Sequence, residues 1–149
     1  MALELSTIGI TLGYAVESVA GTRPSNFTTI DNITSIGEIT GEPEQLEVTN
    51  LVDTWHRYIE GLRDSGGSVA IGANFTAAFL AAWSGARTAS LAGIDDGKAT
   101  WWQVHVPNFG DFHFAGTPAE LGLPEIGVGE VFAGSTSIVL NDVAGWTAA

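Results

Sequence analysis

The stretch that decides the fold runs from Asn50 to Phe75 and reads NLVDTWHRYIEGLRDSGGSVAIGANF. At its end, Val69, Ile71, Ala73 and Phe75 fall on one side, and Ala70, Gly72 and Asn74 on the other. Alternation with a period of two marks a strand with one buried face. Asp64-Ser65-Gly66-Gly67, just before it, has the composition of a turn. Further upstream, residues 53–64 show no clean period and read as a long loop or irregular arm. Such a loop is uncommon in a compact domain unless it has a task. Asp53, Trp55, Arg57, Tyr58, Leu62, Arg63 and Asp64 bring rings, aliphatic surface and both charge signs into it. That mixture suits contact with a neighbouring subunit; covering the chain's own core is the alternative.

Downstream of this stretch, residues 76–84 are the clearest helix, with Phe79, Leu80 and Trp83 on one side. Asn74 or Thr76 suits its N-cap and Gly85 its C-cap. The apolar side of so short a helix must pack on the sheet. Residues 88–94 and 99–106 flank Asp95-Asp96-Gly97, which predicts a β-hairpin. Phe112 and Phe114 lie on one face of a strand running to about Thr117. A Gly/Pro-punctuated connection over 118–129 leads to a last strand at 130–141, and 142–149 looks frayed apart from Trp146.

Upstream, residues 3–16 read as a first strand or an arm, 19–26 as a loop, and 27–39 as one or two strands closed by Gly41-Glu42-Pro43. Residues 45–51 alternate, with Leu46 and Val48 on one face, and read as a strand. The sum is a mainly β protein: an antiparallel barrel or sandwich with one short flanking helix. It is read as a single domain, 1–149, with an N-terminal arm at about 1–16 and a long loop at about 50–66.

Composition narrows the function. Only 15% of residues are charged against 45% hydrophobic, a low charge density that hints at surface covered by partners. The net charge of −12, with five basic residues, argues against phosphate-backbone binding and against anionic membranes. The opening residues do not read as a signal peptide, and no apolar run has the length of a membrane span. Without cysteine there are neither disulfides nor thiolate metal sites.

Catalytic signals are weak. His105 and His113 flank a turn and face each other as a possible metal pair, but neither they nor His56 find a third ligand. Asp95-Asp96, or Glu60 with Asp64, are candidate carboxylate pairs, more simply read as turn and loop residues. Trp101-Trp102 places one ring on each face of a strand, a weak carbohydrate-binding signal set against core packing. No nucleophile elbow or phosphate loop is present, so no enzyme activity and no cofactor are expected.

Several segments, in order, resemble the major tail protein, or tail tube, family of long non-contractile-tailed phages. They are Gly13-Tyr14, Gly21-Thr22-Arg23-Pro24, Thr28-Thr29-Ile30, Ile33-Thr34-Ser35-Ile36 and Glu47-Val48-Thr49-Asn50. Tyr58-Ile59-Glu60-Gly61-Leu62-Arg63-Asp64-Ser65-Gly66 and Asn74-Phe75 with the Ala-rich helix complete the series. The resemblance implies a barrel or sandwich and six-subunit rings that stack into a hollow tube within the virion tail, assembled in the host cytoplasm. It implies tape-measure and tail-terminator or tail-tip proteins as partners, and DNA passing through the lumen without specific binding. Contractile-tail and type VI secretion tubes share the fold and are the alternative. A carboxylate-lined channel would suit the charge balance.

Overall fold

The computed structural model describes residues 6–40, 42–64 and 67–148, without the side chains of Glu42, Arg63 and Asp64. Leu3 to Leu5 of the expected arm, Gly41, and Ser65-Gly66 of the expected turn lie outside the described residues. The elements run β1 (Thr11–Val16), β2 (Thr28–Ile30), β3 (Ile33–Ile36), β4 (Glu42–Glu47), β5 (Tyr58–Asp64), β6 (Ser68–Asn74), α1 (Ala77–Asp95), β7 (Thr100–Val106), β8 (Gly110–Pro118) and β9 (Ala133–Ala148).

Seven strands form one antiparallel sheet in the order β2-β1-β7-β8-β9-β6-β3. Its edge strands β2 and β3 are joined by Asp31 and Asn32 alone. Three peptide links reach about 11 Å at most, so the two edges lie side by side and the sheet curls into a half-barrel. The joint is tight: Asn32 takes a positive φ of 67°, its carbonyl accepts from the Asn74 N–H, and its Nδ2 donates to Thr76 Oγ1.

Register places the core. Leu12 stands opposite Val104 and Ile30, Trp102 opposite Phe114, and Val69 opposite Ile138. These residues share one face of the sheet, and with Phe79, Trp83 and Ala86 of α1 they form one buried cluster. The helix therefore completes the barrel's own core on the concave side. The opposite face carries small and polar residues such as Gly13, Gln103, Thr117, Ser135 and Ser137, with Asp111 and Asp142 as carboxylates among them.

Four expectations are corrected. The helix does not stop at Ser84 but runs to Asp95. Thr76 does cap its start, accepting from the Phe79 N–H at 3.1 Å, but Gly85 is interior. The expected strand at 88–94 and the hairpin at Asp95-Asp96-Gly97 are instead the helix and its C-cap. Gly97 has φ 71°, its N–H donates to Ile94 O, and the Lys98 N–H reaches back to Gly93 O at 2.8 Å. That pair of bonds is a Schellman motif, which uses a glycine as a hairpin does.

Leu80 is the second correction: it is 55% exposed while Phe79 and Trp83 are buried. Third, residues 11–16 are a paired strand inside the sheet, between β2 and β7, and no free arm. Fourth, the frayed tail is strand, because β9 continues to Ala148 along β8. Trp146 there packs edge-on against Phe109 and Phe112.

Candidate assembly interface

The expected loop at 50–66 is mostly a hairpin. β4 and β5 pair only with each other, as a separate two-stranded ribbon, with Leu46 opposite Ile59 and Glu47 opposite Tyr58. Tyr58, Leu62, Arg63 and Asp64 are strand residues, a correction to the irregular arm. Tyr-Ile-Glu-Gly-Leu does not alternate because the ribbon has no face on the core, and alternation reports a buried face.

The tip is held by its own side chains. Asn50 makes an Asx turn: its Oδ1 accepts from the Val52 N–H and its carbonyl from the Asp53 N–H. Asp53 Oδ2 in turn accepts from the Asn50 N–H at 2.9 Å. Thr49 Oγ1 accepts from the Arg57 N–H and donates to Glu47 Oε1. His56 Nδ1 lies 2.7 Å from the same carboxylate oxygen. Arg57 approaches Asp53 at 3.4 Å, and such exposed pairs stabilise by less than about 1 kcal/mol.

This ordered tip presents its apolar side chains to solvent. Trp55 is 82% exposed, and Leu51 and Val52 are more so. Along the ribbon, Leu46 and Ile59 lie on one face and Tyr58 on the other; the register shift between Pro43 and Gln45 brings Leu62 to the Leu46 face, and all four are exposed. Two-stranded ribbons are marginal alone in water. This one exposes three aliphatic side chains on one face and a tyrosine ring on the other, an apolar surface suited to being covered. The structure thus brings Trp55, Leu62 and Tyr58 onto one projection with Asp53 and Arg57, while the side chains of Arg63 and Asp64 lie outside the described residues.

A second feature was not foreseen. Phe75, Phe79, Leu80, Leu121, Leu123 and Phe132 line an open groove of about 440 Å³ beside the start of α1. Apolar residues set among glycines and Pro124 in the 118–132 connection were its signal in the sequence. Glu120, Glu125 and Glu130 are exposed in that connection, which has no Lys or Arg.

The catalytic candidates disperse. His105 donates from Nδ1 to Asp111 Oδ1 at 2.5 Å, whereas His113 stands opposite Gln103, so the two histidines do not face each other as expected. His113 is buried against the Phe27 ring, and burial, then the Arg23 charge, lowers its pKa, with Asp111 opposing. Asp95 and Asp96 end the helix, and Glu60 and Asp64 lie along one strand of the ribbon. Among the described residues no group of three His, Asp or Glu side chains is placed to hold a metal. Trp102 is buried, and Trp101 is half-buried with its indole N–H on Glu17 Oε2.

Glu17 was also missed by the sequence reading. Its carboxylate is buried where β1 ends, accepting from the Ala99, Gly21 and Trp101 N–H groups. The Ala99 N–H is the main cause of its lowered pKa; burial opposes, and Trp101 and Gly21 assist.

No protein-family model matches the chain, and no curated protein matches it significantly. Solved structures do. A chain in the virion of a native gene transfer agent particle superposes with TM-score 0.58 at 16% identity, over 97% of this chain and all of that one. A chain in the tail of an empty gene transfer agent particle, refined with C6 symmetry, gives 0.52 at 18%, over 93% and 95%. A chain in the six-fold symmetrised baseplate of the anti-feeding prophage gives 0.58 at 9%, over 96% and 95%. At such identities the likeness is one of fold, and it extends over nearly the whole chain.

Proposed function

We propose that this chain is a structural subunit of a phage-type tail tube, forming six-membered rings that stack around a channel for DNA. The observation that carries the proposal is the separate β4–β5 ribbon, whose Leu46, Ile59, Leu62 and Tyr58, with Trp55 at its tip, are uncovered by its own subunit. Whole-length likeness in fold to chains of tail particles supports it. The ribbon makes contacts between subunits, between stacked rings above all. Tape-measure and tail-terminator or tail-tip proteins are the further partners, in a virion assembled in the host cytoplasm. The chain needs no catalytic group or cofactor for this role. A net charge of −12 with five cations keeps counterion-release binding to a passing duplex weak.

The likeness to a baseplate chain favours a second reading, in which the subunit sits at the tip of the tail rather than along it. Negative-stain microscopy with sedimentation of concentrated protein separates the readings. Long tubes support the first, and single rings that do not stack support the second. A chain that stays monomeric at every concentration overturns both.

A further inference from the structure

We infer that the ribbon tip of one copy seats in the apolar groove beside the α1 N-terminus of the next copy. This rests on the reading that copies of the chain assemble, and it names the surface that receives the ribbon.

The two surfaces need each other. Leu51, Val52 and Trp55 form an apolar knob on an internally hydrogen-bonded turn, so the knob is preformed. The groove has the volume for an indole ring with a branched aliphatic beside it, and its walls are almost wholly aromatic and aliphatic. A preformed knob entering a preformed groove loses little conformational entropy.

Knob and groove are different patches of one molecule, so their contact is heterologous. Each copy that receives a knob still offers its own, and the contact propagates into a closed ring or a helical stack. Self-pairing of knobs would instead end at a dimer.

The chain has no cysteine, so introduced thiols report proximity cleanly. Copies carrying Leu51→Cys, Val52→Cys or Trp55→Cys are mixed with copies carrying Leu80→Cys or Leu123→Cys and mildly oxidised. A disulfide requires Cα atoms within about 7 Å. The expected result is a covalent dimer in at least one tip–groove mixture and in none of the variants alone. All five positions are exposed, and circular dichroism of each variant verifies folding. If wild-type protein assembles but no tip–groove mixture cross-links, the groove is not the receiver, although the tube reading stands. The same conclusion follows if tip variants cross-link alone as readily as in mixtures. If wild-type protein does not assemble at all, both the inference and the reading beneath it fall.

Discussion

Trp83 of the helix and Trp102 of β7 meet with ring centroids 5.6 Å apart and planes at 37°. Both donate their indole N–H groups into one short segment, Trp83 to Ala119 O at 2.8 Å and Trp102 to Gly116 O at 3.0 Å. The two rings therefore tie helix, central sheet and the end of β8 together at one point. Arg87 adds a third tie, donating to Pro118 O at 2.9 Å.

Removing the helix ring tests this. Trp83→Ala should destabilise the fold by about 3–5 kcal/mol. Trp83→Phe keeps a ring but not the donor and should cost about 1 kcal/mol in the hydrogen bond alone. Urea unfolding measures both. An Ala variant as stable as wild type would place Trp83 outside the core.

Two glycines of α1 should respond with opposite sign to the same change. A Cβ on Gly85 would find Tyr14 Oη at 3.9 Å, an ordinary contact. Gly85→Ala should therefore stabilise by up to about 1 kcal/mol through helix propensity. A Cβ on Gly93 would lie 2.8 Å from Val16 Cγ1 and 3.3 Å from Lys98 O. Gly93→Ala should lower stability, because the helix and β1 must separate to admit it. Equal melting temperatures for the two variants would contradict the close approach.

Acid should destabilise the monomer in two stages. Folding depresses the His113 pKa, so the unfolded chain takes up that proton first, and stability falls as pH drops below about 6.5. The Glu17 carboxylate is also depressed, so its contribution is complete above its ordinary 4.5 and is lost as pH falls through its lower folded value. His113→Gln should remove the first stage from a plot of melting temperature against pH, and Glu17→Gln the second. Curves unchanged from wild type would show that neither group is linked to folding.

The ribbon should matter to assembly and not to the subunit. Trp55→Ala with Tyr58→Ala removes two exposed rings and should change monomer stability by no more than about 0.5 kcal/mol. Tubes or rings should be lost in electron micrographs. Normal tubes from this variant would show that the ribbon is not the contact.

How much was legible follows from where faces are buried. β6, β7 and β8 were read from the sequence because each packs one face on the core, as Val69, Ile71, Trp102 and Phe114 show. β5 was not, because neither of its faces is buried in the subunit. The second half of α1 was hidden because Ser90 and Gly93, not large apolar residues, form its buried side. Close backbone approach selects small residues and erases the helical period. The tip's rings and mixed charges are legible as a group in the sequence, but their exposure on an ordered ribbon follows only from three-dimensional pairing. The groove draws on β6's end, α1 and the 118–132 connection, so no single window contains it.

The position of β9 has a consequence for synthesis. By hydrogen-bonded ladder, β2-β1-β7-β8 and β6-β3 are two separate ribbons until β9 is laid between β8 and β6. A nascent chain extended only as far as β8 holds two incomplete sheets with open inner edges, and its core lacks Ile138. Closure requires contacts distant in sequence and waits for the last strand to emerge, the order that slows folding and leaves edges exposed to aggregation. Chaperone binding during translation should therefore persist until β9 has left the ribosome.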